Sequence, residues 1–203
     1  LTRERMTHEE YMEFCNEDTK ADLIDGVLVV QSPASDRHEV LFKFLLHVFD
    51  LYVTRRGLGQ VRGSHTAVRL ANGHTYEPDL LFVARERTHI IGEEYIDGAP
   101  DLVVEILSAS TYRYDTGLKR AGYEQAGVRE LWLIDPYGLK GTQVLRRDEA
   151  TGTFLTIEPE SEAEGYIYRS AVIVGLWVRE SWLWPPEEQF PDILDVLREL
   201  LLP

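Results

Sequence analysis

The stretch from Pro100 to Tyr123, PDLVVEILSASTYRYDTGLKRAGY, constrains the fold of this chain more than any other. It opens as an apolar strand carrying one acid, Glu105, among Val103, Val104, Ile106 and Leu107. An ionised carboxylate in such a setting is costly unless it is paired or metal-bound. After a Ser/Thr turn the pattern becomes helical, and Asp115, Lys119 and Tyr123 recur every four residues, so they share one face. An acid on a strand is therefore followed by a cation on the next helix.

A chain of 203 residues, 44% hydrophobic and 28% charged, is long enough to bury a substantial core. The expectation is one domain over residues 1–203, with 185–203 as a C-terminal helical extension. No apolar run approaches the roughly 20 residues that span a bilayer, and Arg3, Glu4 and Arg5 precede any hydrophobic segment, unlike a secretory leader. That reads as a soluble, cytoplasmic protein without a membrane partner. Cys15 is the single cysteine, which excludes an internal disulfide and reads as a packing residue. A net charge of -14 argues against a broad nucleic-acid surface and leaves room only for a local one.

In chain order, Thr7 to Phe14 reads as a short capped helix, and Ala21–Ile24 and Val27–Gln31 flank the hairpin signal Asp25-Gly26. These two strands begin the sheet. Asp22 on the first of them is either a solvent-facing acid on an edge strand or an auxiliary group near a metal. From Ser35 the spacing of Leu41, Phe42, Leu45, Leu46, Val48, Phe49 and Tyr52 predicts a long core helix, ended by Gly57 and Gly59. Ser35 or Asp36 as N-cap places His38 in the first turn, where the helix dipole disfavours imidazolium. His38 is then a neutral group facing a site, or simply a packed one. Val61 to Leu70 reads as a strand, as does Tyr76 to Val83, whose Pro78 marks a beginning or an edge. Strand alternation puts Glu77 and Asp79 on one face, so either or both could reach a metal.

Two acids could partner Glu105. Asp101 lies four residues upstream on the same strand, about 13 Å away, too far for a shared ion, whereas Asp79 comes from a different strand. Leu107, two residues after Glu105, is apolar, so the nearest cation on a regular element is Lys119. Asp115 reads as an N-cap or first-turn acid, Gly127 as the helix stop, and Glu130–Asp135 as another core strand closed by Pro136. Gln143–Arg147, Phe154–Glu158, Tyr166–Ser170 and Ala171–Val174 alternate like further strands. Beyond Pro185-Pro186, Asp192–Leu202 forms an amphipathic helix that either packs back on the domain or makes a homodimer contact.

Taken together, Pro78-Asp79, the run Pro100 to Ser108, Asp115, Lys119, Tyr123, Gly127-Val128 and Leu131–Pro136 resemble the Uma-type restriction endonucleases of bacteria, in the PD-(D/E)XK nuclease superfamily. The resemblance extends from Asp22–Gly26 through Ser32-Pro33 and His38 to Val174-Gly175-Leu176. It implies an α/β restriction-endonuclease-like fold, a mixed central sheet flanked by helices. It also implies a lysine displaced from the usual position, here Leu107, to the following helix at Lys119. Two departures are that Asp22 stands where glutamate is common and Ala109 where proline is.

The implied activity is metal-dependent phosphodiester hydrolysis, with nucleic acid, DNA above all, as partner. Hard ions such as Mg²⁺ or Mn²⁺ take oxygen ligands, which Asp79, Glu105 and the backbone carbonyl of Ile106 supply. Lys119 then orients the nucleophile or offsets the developing oxyanion, with Asp22, His38, Glu77 and Asp115 as auxiliaries. The alternative is a catalytically silent nucleic-acid-binding or regulatory module on the same scaffold.

Overall fold

The computed structural model describes residues 5–15, 19–186 and 189–201. The chain runs through helix α1 (His8–Phe14), strands β1 (Ala21–Ile24) and β2 (Val27–Val30), helix α2 (Asp36–Arg56) and strands β3 (Gly59–Gly63), β4 (Val68–Arg69), β5 (Thr75–Tyr76), β6 (Leu80–Ala84), β7 (Ile96–Asp97) and β8 (Leu102–Ile106). Helices α3 (Tyr112–Tyr114) and α4 (Arg120–Ala126) flank a π-helical turn at Asp115–Lys119. Strands β9 (Glu130–Ile134), β10 (Gln143–Arg147), β11 (Phe154–Thr156), β12 (Glu160–Glu162), β13 (Gly165–Arg169) and β14 (Trp177–Arg179) precede helices α5 (Glu180–Leu183) and α6 (Ile193–Leu201).

A six-stranded sheet in the order β11-β10-β9-β8-β6-β3 forms the centre. It is mixed: β8 and β9 run parallel across the α3–α4 crossover, while β8 pairs antiparallel with β6. Alternate residues of its strands feed two cores. Phe82, Val104 and Trp132 pack with α2, whereas Leu81, Val103 and Leu133 pack with Tyr123 and Val128. Burial on both faces explains why these strands read as nearly continuous apolar runs. Val196, Leu197 and Leu200 of α6 join the cluster around α2, so the C-terminal helix packs back on the domain; Leu202 lies outside the described residues.

Local chemistry accounts for most boundaries. Thr7 and Glu10 close a reciprocal capping box on α1, and the Ser35 hydroxyl accepts from the His38 amide at the start of α2. Asp25 and Gly26 both have positive φ (48° and 74°), the conformation that a two-residue hairpin turn requires. That hairpin does not begin the central sheet. It belongs to a second sheet, β2-β1-β5-β4-β7, in which β1 is an inner strand rather than an edge.

The expected strand Tyr76–Val83 is divided between the sheets, β5 in the smaller and β6 in the larger, with Glu77-Pro78-Asp79 as the bridge. Pro78 has no N–H to give to either ladder, which is why the pairing changes there. Val61–Leu70 is likewise divided, into the end of β3, a turn, and β4. Ala171–Val174 is no strand, because the Ala171 and Val172 amides donate to the Glu130 carboxylate and the Ile173 amide to the Ser170 hydroxyl. Strands β12, β13 and β14 form a separate three-stranded sheet.

Candidate active site

Strand register places the two principal acids. Leu80 pairs with Val104 and Leu81 with Val103; Asp79 immediately precedes this ladder on one chain segment, Glu105 immediately follows it on β8, and both line one cleft. The Ile106 amide donates to Asp79 Oδ2 at 2.8 Å, which fixes that carboxylate at the end of β8. Because the N–H and C=O of one strand residue point to the same edge, the Ile106 carbonyl faces that side too.

Asp79 has two further partners: Lys20 Nζ at 2.6 Å from Oδ1 and His38 Nε2 at 3.2 Å from Oδ2. Burial alone would push its pKa up, but the His38 hydrogen bond and the Lys20 charge hold it well below the usual carboxylate range. The Asp79 carboxylate opposes the preference for a neutral imidazole that the helix position of His38 predicts. Burial lowers the His38 pKa, yet the hydrogen bond and charge of Asp79 outweigh that and raise it.

Glu105 is organised from the other side. Its Oε1 accepts from Lys119 Nζ at 2.8 Å and from the Tyr123 hydroxyl at 2.6 Å. Oε2 has no protein partner among the described residues, and the side chain lines an open cleft. Burial, then repulsion from Asp79, Asp115 and Asp22, raise the Glu105 pKa to about 7 against the pull of Lys119. Lys119 is fully buried, and the charges of Asp22, Glu105 and Asp115 overcome desolvation and raise its pKa. It therefore remains an ammonium ion.

Asp22 is buried rather than solvent-facing. Its Oδ2 meets Lys119 Nζ at 3.2 Å, the Tyr114 hydroxyl at 3.0 Å and Gln31 Nε2 at 3.1 Å, while Oδ1 accepts from the Glu77 amide at 2.8 Å. Asp115 begins the π-turn, one helical turn later than a cap, and Thr111 is the residue that precedes the helix. Inserting such a turn inside a helix re-aims side chains and recurs at functional sites. Here Asp115, Lys119 and Tyr123 all point inward, as their spacing predicts.

Glu77 departs from expectation. Residues 77–79 are a bridge rather than a regular strand, so alternation does not apply, and Glu77 turns away from the cleft to Tyr11 (2.5 Å) and His65 (3.6 Å). Burial raises its pKa. Leu107, where the superfamily's lysine is expected, is packed in the core with Tyr123 and Leu133. Asp101 is spent on Arg87 (2.9 Å) and the Ala84 amide (2.8 Å).

The cleft has a volume of about 350 Å³, and Lys20, His38, Asp79, Glu105, Ile106 and Asp115 line it. Lys119 and Asp22 stand behind this wall. The cation on the wall is Lys20, which sequence reasoning missed; a lysine just before a hairpin carries no periodic or motif signal. Among the described residues no three or more His, Cys, Asp or Glu side chains converge as a ready-made metal cage. Two carboxylates with a carbonyl nearby are nevertheless the hard-oxygen donor set that a largely hydrated Mg²⁺ accepts, and Glu105 Oε2 has no competing protein donor.

A mixed sheet with one acid on β8 and one just before β6 lining one cleft, and a buried helix lysine behind them, defines a chain of the restriction-endonuclease-like class. A crystal structure from Anabaena variabilis, described as a putative nuclease belonging to DUF820, shares this fold at TM-score 0.65 and 17% identity, over 96% of this chain and 99% of that one. Residues 8–177 match the model of the Uma2 family, described as "Putative restriction endonuclease", and the chain belongs to that family. No curated protein matches it.

Proposed function

We propose that this protein is a metal-dependent nuclease that hydrolyses phosphodiester bonds, with DNA as substrate. The observation that carries the reading is that Asp79 and Glu105 line one cleft, with the buried Lys119 ammonium on Glu105. Asp79, Glu105 and the Ile106 carbonyl would hold the ion. When bound, Mg²⁺ or Mn²⁺ lowers the pKa of its water and offsets charge developing on phosphorus.

The protein's own groups prepare this site. His38, Lys20 and the Ile106 amide keep Asp79 ionised and fixed in orientation. Lys119 and Tyr123 hold Glu105 by Oε1 and leave Oε2 for the cleft. With its pKa near neutrality, Glu105 can hold or release a proton at physiological pH. Lys119 acts through Glu105 and Asp22 as a positioning residue, whereas Lys20 is the cation able to meet a phosphate oxygen.

One observation favours the silent binding module instead: Lys20, His38 and Lys119 already neutralise the acids, as they would in a purely structural network. The deciding experiment incubates plasmid, linear duplex, single-stranded DNA and RNA with Mg²⁺, Mn²⁺ or EDTA, beside Glu105→Ala. Metal-dependent products that disappear in the variant are expected. No product on any substrate with either metal would leave the binding module as the better reading.

A further inference from the structure

Beside the cleft, and sharing Ser108 with it, lies a second groove of about 420 Å³ lined by Leu107, Ser108, Tyr112, Arg113 and Tyr137. Its two tyrosines are unusually open: Tyr137 is 72% exposed and Tyr112 41%. The Arg37 guanidinium lies 5.5 Å from the centre of the Tyr137 ring and is anchored at 2.6 Å to the Pro136 carbonyl, so the ring is backed by a fixed cation. Arg113 is exposed and has no ion-pair partner among the described residues. The groove's acid, Asp135, is turned to the backbone, where Oδ1 accepts from the Tyr137 amide at 2.9 Å.

We infer that this groove binds an unpaired stretch of the nucleic-acid strand whose phosphate enters the cleft, its bases stacking on Tyr137 and Tyr112 and a phosphate meeting Arg113. The inference rests on the nuclease reading and adds a substrate class to it. A chain with net charge -14 cannot take its affinity from many phosphate contacts, the main source of non-specific duplex binding. Stacking supplies affinity without a basic surface, and only unpaired bases offer a free face to an exposed ring. Ser108 lines both cavities, so a strand held in the groove lies next to the cleft.

The test measures binding of a fluorescent single-stranded oligothymidylate, and of a duplex of equal length, in EDTA so that nothing is cut. Tyr137→Ala and Tyr112→Ala should each weaken single-strand binding about tenfold, as expected for the loss of one base stack. Tyr137→Phe should bind within about twofold of wild type, and melting temperatures should not move because both rings are exposed. Unchanged affinity in the double alanine variant, tighter binding of the duplex than of the single strand, or no single-strand binding would each overturn the inference. A parallel Mn²⁺ cleavage arm separates the two claims. Tyrosine-dependent binding without cleavage retains the groove and removes the hydrolysis, and cleavage indifferent to the tyrosines does the reverse.

Discussion

Lys119 Nζ lies 2.8 Å from Glu105 Oε1, and the ammonium that reaches this strand acid comes from the π-turn rather than from the strand itself. Lys119 is almost wholly buried, so its ammonium depends on these carboxylates rather than on water, whereas Glu105 keeps Oε2 toward the cleft. The same ammonium lies 3.2 Å from Asp22 on the other sheet, and one cation thereby ties the two sheets together.

Lys119→Met should therefore be a stability variant as well as a catalytic one. Removing one member of a buried ion pair typically costs about 3–5 kcal/mol, because the remaining charges are left uncompensated. Urea unfolding should register a loss of that size, and the nuclease rate should fall by about 10²-fold or more. Adding Leu107→Lys should not rescue it, since that position is packed among Tyr123, Leu131 and Leu133. A variant of wild-type stability and rate would refute the role.

Lys20 makes the opposite kind of contribution. Its ammonium sits 2.6 Å from Asp79 Oδ1, on an oxygen that a metal would also use. Lys20→Met should lower metal-free stability by about 2 kcal/mol, the scale of a charge-assisted hydrogen bond. The same change should tighten Mn²⁺ binding by removing a competitor, and titration calorimetry on both proteins reads this directly. Weaker binding in the variant would mean that Lys20 assists the ion instead of competing with it.

The sequence was most legible where the cause is local. The Asp25-Gly26 turn, the Ser35 cap and the 3- and 4-residue spacing of α2 need only neighbours along the chain. The inward set Asp115, Lys119 and Tyr123 was legible for the same reason, although the π-turn that contains the first two was not. Errors arose where distant groups decide. Ala171–Val174 has strand composition, but Glu130 on β9 captures its amides. Glu77 has the right period, yet its chain is leaving one sheet for another. Lys20 enters the site only because the chain before the hairpin lies against Asp79, a contact between residues far apart in sequence.

The C-terminal helix offers a test away from the site. Val196, Leu197 and Leu200 of α6 are buried against the cluster around α2. Leu200→Ala should cost about 2–5 kcal/mol, the range for truncating a buried leucine. Unfolding should remain a single transition, because the helix shares its core with the central sheet. A change below about 0.5 kcal/mol, typical of surface positions, would show that α6 is not part of the folded unit.

The pH response of Glu105 carries the last prediction. Its pKa rises from an ordinary carboxylate value to about 7 on folding, through burial first and then repulsion from Asp79, Asp115 and Asp22, against Lys119. Below about pH 4.5 the acid is protonated in both states, and its contribution to stability is fully present. Between about pH 4.5 and 7 the unfolded chain gives up this proton while the folded one keeps it, so stability falls as pH rises. A shift of that size corresponds to about 3 kcal/mol across the window. Asp79 is displaced downward, so its contribution is lost only as pH falls below the ordinary carboxylate range and does not mask the effect. Asp115 and Glu77 are raised like Glu105, and His38 is raised by Asp79, so Glu105→Gln is needed to isolate one group. Chemical denaturation should show wild-type stability decreasing from pH 5 to about 7, with a shallower decline in Glu105→Gln. Metal binding should run the other way. An ion requires the deprotonated acid, so apparent Mn²⁺ affinity should rise about tenfold per pH unit up to about 7 and then level off, with proton release below that point. Calorimetry in two buffers of different ionisation enthalpy counts the protons. A wild-type affinity that is flat across this range, with no proton released, would remove Glu105 from the ligand set.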